Sequence, residues 1–258
     1  MTMNGIHFIN WPEQNVLAAQ TSRIHPLLDI TCNSDALTDF QSFNLGLHVN
    51  DDRQLVLKNR NTLTEILAQQ TVNPNLSIQW LNQVHKTDVV TIDHVSNDVI
   101  SADACITRNK DIALAIMTAD CLPILLSCKQ GNEIAAIHGG WRPLAGNIID
   151  NTLRQMQACN SEVIAWLGPC IGKKAFEVGV DVYSAFITQS TNFHCAFKPL
   201  SDEKYLADLH KIAKIQLRQL GVTHIMQLPE CTYSLSNKYY SYRRESVTGR
   251  MATLISRK

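Results

Sequence analysis

The spacing of apolar and polar positions changes several times along the chain. Between Asp51 and Gln70, Leu55, Val56, Leu63, Ile66 and Leu67 recur at helical spacing behind a start rich in Asp, which predicts an amphipathic helix. From Leu76 to Val84 the period shortens to two. Leu76, Ile78, Trp80 and Val84 share one face, Ser77, Gln79, Leu81 and Gln83 the other, and the segment runs directly into His85. This predicts a strand that delivers a side chain at its tip. Asn15 to Gln20 and Val89 to Ile92 read as further strands. Ile112 to Met117, Leu122 to Ser127 and Glu133 to Ile137 are near-continuous apolar runs of strand length, the last ending on His138.

After Gly139-Gly140 the pattern predicts a helix from Pro143 to about Ala158, with proline where a missing amide donor costs nothing. Val163 to Leu167 reads as a buried strand. Asp181 to Gln189 and Glu203 to Leu220 read as helices, the second closed by Gly221. Val222 to Leu228, Tyr239 to Tyr242 and Met251 to Ile255 complete the strands. Helices and strands mix without a strict βαβ rhythm, and no repeat or linker divides the chain. The expected fold class is therefore α+β, a layered α/β sandwich with mixed sheets, in a single catalytic domain spanning residues 1–258.

The composition fits such a domain: 258 residues, 45% hydrophobic and 18% charged, are enough to bury one large core. The 23 basic and 23 acidic residues cancel, and no Lys/Arg block stands out, so neither nucleic acid nor an anionic membrane is the expected partner. A small molecule is. Residues 1–12 lack the basic and apolar regions of a secretory signal, and the most apolar stretch, 112–128, is broken by Asp120 and Pro123 and falls short of the ~20 residues of a membrane span. A cytoplasmic protein is expected. The eight cysteines contain no C-x-x-C pair, so most read as buried free thiols rather than zinc knuckles or disulfides.

Three residues sit where a strand ends or turns: His85 in NQVHKTD, Cys121 in TADCLP and His138 in AIHGGWR. Two imidazoles and a thiolate suit Zn²⁺ and leave a fourth position open. Their intervals, 121 − 85 = 36 and 138 − 121 = 17 residues, exceed those of a zinc finger, so only the fold could unite them, and ordinary buried His and Cys remain the alternative. The flanks add weight. Asp120 puts a carboxylate inside an apolar stretch, which is costly unless it is paired or functional. Arg142 offers a guanidinium fork just after Gly139-Gly140, which reads either as close backbone approach to a ligand or as a turn before a helix. Arg243, Arg244 and Arg250 lie within eight residues and read either as an anion site or as a solvated edge with Glu245 as partner.

The blocks NQVHKTD, ADACIT, TADCLPILL, AAIHGGWRPLAGNII, WLGPCIG, FEVG, YLADL and YYSYRRESVTGRMATLI resemble, in order, those of one family. It has been called multicopper polyphenol oxidoreductase or laccase-like, and its members are described as purine nucleoside phosphorylases with adenosine deaminase activity. The resemblance runs from about Phe43 to Ile255. It implies zinc ligands at His85, Cys121 and His138, phosphorolysis of adenosine, inosine and methylthioadenosine, and deamination of adenosine. Within that scheme Asp120 is the candidate proton carrier, and Arg142 with Arg243 or Arg244 the candidate phosphate holder. The chain departs from the pattern at TSRIHPLLDITCNSDALTDFQSFNLG, where relatives have a Gly-Gly turn, and at Lys173, where they often have proline.

The laccase name conflicts with the residues. A multicopper cluster needs many histidines, largely in His-x-His pairs, whereas this chain has nine and no such pair. Copper is the chemical alternative to zinc, but as a single ion serving a polyphenol oxidoreductase. Two further alternatives use the same residues. Cys121 with His138 would make a cysteine hydrolase, and Cys105 or Asp103 as a fourth ligand would make a structural metal site.

Overall fold

The computed structural model describes residues 2–27, 39–40, 42–96 and 98–258; much of the divergent N-terminal stretch, with Cys32, lies outside them. In chain order the elements are β1 (Thr2–Met3), β2 (Ile6–Ile9), β3 (Val16–Thr21), α1 (Arg53–Thr71), β4 (Ser77–Gln79), β5 (Val89–Thr91), β6 (Ala104–Thr107), β7 (Ile112–Thr118), β8 (Leu122–Cys128) and β9 (Ile134–Gly139). There follow α2 (Trp141–Ala145), α3 (Ile148–Gln155), β10 (Val163–Leu167), β11 (Glu177–Gly179), α4 (Val180–Ile187), β12 (Phe197–Ser201), β13 (Lys204–Ala207), α5 (Leu209–Gln219), β14 (His224–Gln227) and β15 (Met251–Arg257).

Two mixed six-stranded sheets, ordered β1-β2-β3-β15-β7-β4 and β14-β10-β8-β9-β6-β5, form the centre, and β11-β13-β12 makes a small third sheet. The apolar runs explain the layering. Every residue of β7 is buried, but its two faces meet different partners. Leu114 and Ile116 pack with Leu125, Ala136, Ile164 and Trp166 of the second sheet. Ala113 and Ala115, on the other face, pack with Leu63, Ile66 and Leu67 of α1. The outer face of the second sheet is covered by α2 to α5 through Leu144, Ile149, Phe186, Ile212 and Leu217. The result is a helix, two sheets and a helical layer in sequence, an α+β sandwich as expected. Among the described residues no helix is long and apolar enough to cross a membrane.

Several boundaries differ from the sequence pattern, each for a local reason. The helix expected from Pro143 to Ala158 is two helices, because Gly146 and Asn147 (φ 65°) turn the chain between α2 and α3. A Cβ on Gly146 would lie 2.4 Å from Thr87 Cγ2, so the backbone there packs tightly on the loop after His85. The helix expected from Glu203 begins only at Leu209. Lys204–Ala207 is held as a strand between β11 and β12, and the Asp208 carboxylate caps α5 by accepting the Lys211 N–H. Tyr239 to Tyr242 is not a strand: Tyr239 and Tyr240 pack against Met251, and the segment beyond turns towards Asp120. The strand expected to reach Val84 ends at Gln79, and Gln83 instead bonds the main-chain N–H and C=O of Met117.

Candidate metal centre

The candidate ligands are delivered by the two connections that pass from the first sheet to the second. One joins β4 to β5 and carries His85; the other joins β7 to β8 and carries Cys121 immediately before β8. His138 stands near the end of β9, paired with Pro123 of β8, so Cys121 and His138 lie at the same end of the two central strands of the second sheet. Both connections are strained where they reach the site: His85 has φ 58° and Asp120 has φ 98°, left-handed conformations that non-glycine residues adopt at a cost.

Carboxylates hold both conformations. Asp103, wholly buried at the start of β6, accepts the N–H of Val84 (3.1 Å), His85 (3.0 Å) and Lys86 (2.7 Å) and also meets His138 Nδ1 (2.7 Å). The same group therefore fixes the His85 backbone and leaves Nε2 of His138 for the site, the usual arrangement behind a metal-ligating imidazole. Asp120 accepts from Thr232 Oγ1 (2.6 Å), Ser241 Oγ (3.0 Å) and the Arg243 N–H (2.7 Å), and its carbonyl accepts the Ile171 N–H.

The outcome is a compact donor set. The ligand atoms of His85, Cys121 and His138 lie within 4.8 Å of one another. Cys121 Sγ is 4.0 Å from His85 Nε2, and the two imidazoles meet edge-on with centroids 4.7 Å apart. A Cβ on Gly140 would lie 3.2 Å from Cys121 Sγ and 3.4 Å from His85 Cδ2, so glycine there keeps the space between the ligands open. Burial works to raise the Cys121 thiol, but the adjoining His138 and His85 overcome it and the net shift is downward, towards thiolate. Burial likewise works to lower His138, and the Cys121 sulfur and Asp103 overcome it and raise the imidazole. Asp103 moves down: burial opposes its ionisation, and the His138 and Lys86 hydrogen bonds outweigh burial. Two imidazoles and a thiolate, preformed around a gap kept by glycine, fit one divalent ion of the zinc or copper type with a further position open. His138 is buried and His85 exposed, so the opening is on the His85 side.

A cavity of about 480 Å³ lies over the triad. Asp120, Arg243 and Arg250 line it, with Phe176 and Tyr242 as aromatic walls and Thr118 at the end of β7. The Arg243 guanidinium is tied to the Glu177 carbonyl (3.0 Å), and that of Arg250 to the carbonyls of Thr248 and Gly249. Thr118 Oγ1 is buried and has no protein hydrogen-bond partner.

The chain matches the family model described as multi-copper polyphenol oxidoreductase laccase over residues 33–258. It is 40% identical over 222 residues to a Haemophilus influenzae protein named purine nucleoside phosphorylase, covering 85% of this chain and 88% of that one. It is 36% identical over 246 residues to purine nucleoside phosphorylase YfiH of Escherichia coli, covering 95% and 96%. The crystal structure of Neisseria meningitidis protein NMB0706 superposes with a TM-score of 0.87 at 38% identity, covering 98% of this chain and 99% of that one. The chain belongs to the multi-copper polyphenol oxidoreductase laccase family. Within that family description, the residues here offer less than its name suggests. Among the described residues the His85, Cys121 and His138 triad is the one group of three or more such side chains placed to hold a metal, and it has room for one ion.

The structure brings His85, Cys121, His138, Asp120 and Arg243 to one cavity. It does not bring Arg142 or Arg244 there. Arg142 is exposed on α2 with its guanidinium 4.4 Å from the Trp141 ring centre, and Arg244 donates to the carbonyls of Thr232, Tyr233 and Tyr239. Asp103 and Cys105 are not fourth ligands: Asp103 serves the far nitrogen of His138, and Cys105 is buried in the core between the sheets. The sequence pattern assigned no role to His48, Gln83 or Phe176, which also line the cavity, although Gln83 lies in NQVHKTD and Phe176 opens FEVG. Arg250 was visible only as a member of the arginine cluster.

Proposed function

We propose that the chain is a metal-dependent purine nucleoside phosphorylase acting on adenosine, inosine and methylthioadenosine, with a second activity that deaminates adenosine, and that its metal is one zinc ion. The observation that carries this reading is the joining, in one cavity, of an open three-donor centre with the two guanidinium groups of Arg243 and Arg250. The relatives' names point to the same substrate class.

His85, Cys121 and His138 would hold the ion, which when bound supplies Lewis acidity and acidifies a neighbouring water. Arg243 and Arg250, each pinned by main-chain carbonyls, present preoriented donors for phosphate. Phe176 and Tyr242 offer flat apolar faces for a purine. The Thr118 hydroxyl has a hydrogen bond to give to a nucleoside, because leaving it unmade in a buried site costs roughly 1–3 kcal/mol. Asp120 is the one carboxylate among the residues lining the cavity. Among the described residues its Oδ1 accepts only from Thr232 and so keeps a lone pair able to take and return the proton that deamination moves.

One observation favours a second reading. Cys121, His138 and Asp103 are ordered as nucleophile, base and orienting carboxylate, as in a cysteine hydrolase. Metal content and alkylation separate the two: a bound ion protects Cys121 from iodoacetamide, and a metal-free dyad reacts quickly. The test of the main reading is to incubate inosine, adenosine and methylthioadenosine with and without phosphate. Base release that requires phosphate, and ammonia release from adenosine that does not, are expected. Base release at the same rate without phosphate would make the chain a hydrolase instead.

A further inference from the structure

A second cavity, of about 400 Å³, shares a wall with the first. Ile171 and Phe176 line the catalytic cavity, and Gly172, Lys173 and Lys174 between them line the second. Across from that loop stand Lys211 and Lys214, three residues apart and so on one face of α5 near its positive end. Among the described residues none of these four lysines forms an ion pair. The two carboxylates in the cavity are already engaged: Asp208 caps α5, and Glu230 accepts from Lys238 and the Tyr239 hydroxyl.

Four ammonium groups that form no ion pair stand around one concavity against the single charge of Asp208, Glu230 being balanced by Lys238, and leave it with a net positive potential on a chain whose formal net charge is zero. A single carboxylate would leave most of it unmatched; a run of linked phosphates would not. A concavity of this size suits a small molecule rather than a nucleic acid. We propose that this cavity binds the polyphosphate group of a small molecule, either a nucleoside di- or triphosphate or an inorganic polyphosphate, at a site separate from the catalytic one.

Cys231 gives a local readout. It lines the cavity and is partly exposed, and its sulfur accepts from the Gly172 N–H (3.1 Å) and the Ser234 hydroxyl (3.4 Å). Burial alone would raise this thiol; those donors outweigh burial and lower it, which favours reaction with alkylating agents. The experiment follows iodoacetamide labelling of Cys231 by peptide mass spectrometry, on the full chain at constant ionic strength, with tripolyphosphate, ATP or adenosine added. At ten times its dissociation constant a bound polyphosphate should slow labelling about tenfold, and adenosine should not. Protection by ATP at lower concentration than tripolyphosphate assigns a nucleotide, and protection by tripolyphosphate at equal or lower concentration than ATP assigns the inorganic ligand. The protection ratio should collapse in Lys211→Ala/Lys214→Ala and, independently, in Lys173→Ala/Lys174→Ala. Labelling that ignores tripolyphosphate, or protection that survives both double substitutions, would overturn the proposal.

Discussion

Asp103 accepts from three successive main-chain N–H groups around His85 and meets the imidazole of His138, so one buried carboxylate orients two of the three candidate ligands. In Asp103→Asn, one oxygen becomes an NH₂ that faces donors instead of accepting from them. The expected loss is about 10- to 100-fold in metal affinity, measured by competition with a chelator, with the fold retained. The pH dependence follows from the ligands. In the metal-free protein His138 is raised and Cys121 lowered, so between about 6 and about 9 the pair is imidazolium and thiolate. Binding must expel the His138 proton, so affinity should fall about tenfold per pH unit as pH drops through that window, and more steeply below it, where the thiol also holds a proton. Titration calorimetry in buffers of different ionisation enthalpy should count about one proton released near pH 7.5. Proton release near zero would mean that His138 is not a ligand. The arginines give a third expectation. Arg250→Ala should raise the phosphate KM of inosine phosphorolysis roughly ten- to a hundred-fold, the value of a charged hydrogen bond, and Arg142→Ala should leave it nearly unchanged. Cys121 and His138 were legible because one stands just before β8 and the other near the end of β9; His85 stood out on the same ground although its strand ends earlier, at Gln79. Asp103 was not, because the sequence shows its charge but not the four donors folded around it.

At the scale of elements, legibility followed apolar continuity. β7, β8, β9 and β10 are buried on every residue and read directly from their runs. The third sheet did not: β12 is mostly exposed and β13 grades from exposed Lys204 to buried Ala207, so neither carries a strong alternating signal. The break between α2 and α3 was missed because Gly146 is tolerated in a helix pattern; the close approach of Thr87 that requires it is tertiary. The end of α1 makes a clean test of local physics. Val72 closes that helix in a left-handed conformation (φ 54°), its N–H reaching the Ala68 and Gln69 carbonyls, with its side chain 88% exposed. A β-branched residue in that conformation is strained and buries nothing in return. Val72→Gly should therefore raise stability by roughly 0.5–1 kcal/mol, read as a higher midpoint in urea with an unchanged slope. A lower midpoint would mean that the Val72 side chain makes contacts that this geometry does not show.

Over the whole molecule, the candidate centre lies where the chain twice changes sheets, and this is why residues 36 and 17 positions apart meet. Neither crossover can be read from hydrophobic period, which marks strands but not the sheet each one joins. The resemblance of the ordered blocks supplied the grouping, and the geometry supplied its reasons: a shared end of two central strands, a glycine gap and a buried carboxylate. If one metal serves one phosphorolytic activity, a zinc titration of the metal-free protein that follows metal content and phosphate-dependent hypoxanthine release from inosine in the same samples will show it. Activity should rise in proportion to occupancy and level off at about one ion per chain, and Cys121→Ala should abolish both signals. Full phosphorolysis in protein without metal, or in Cys121→Ala, would contradict the account.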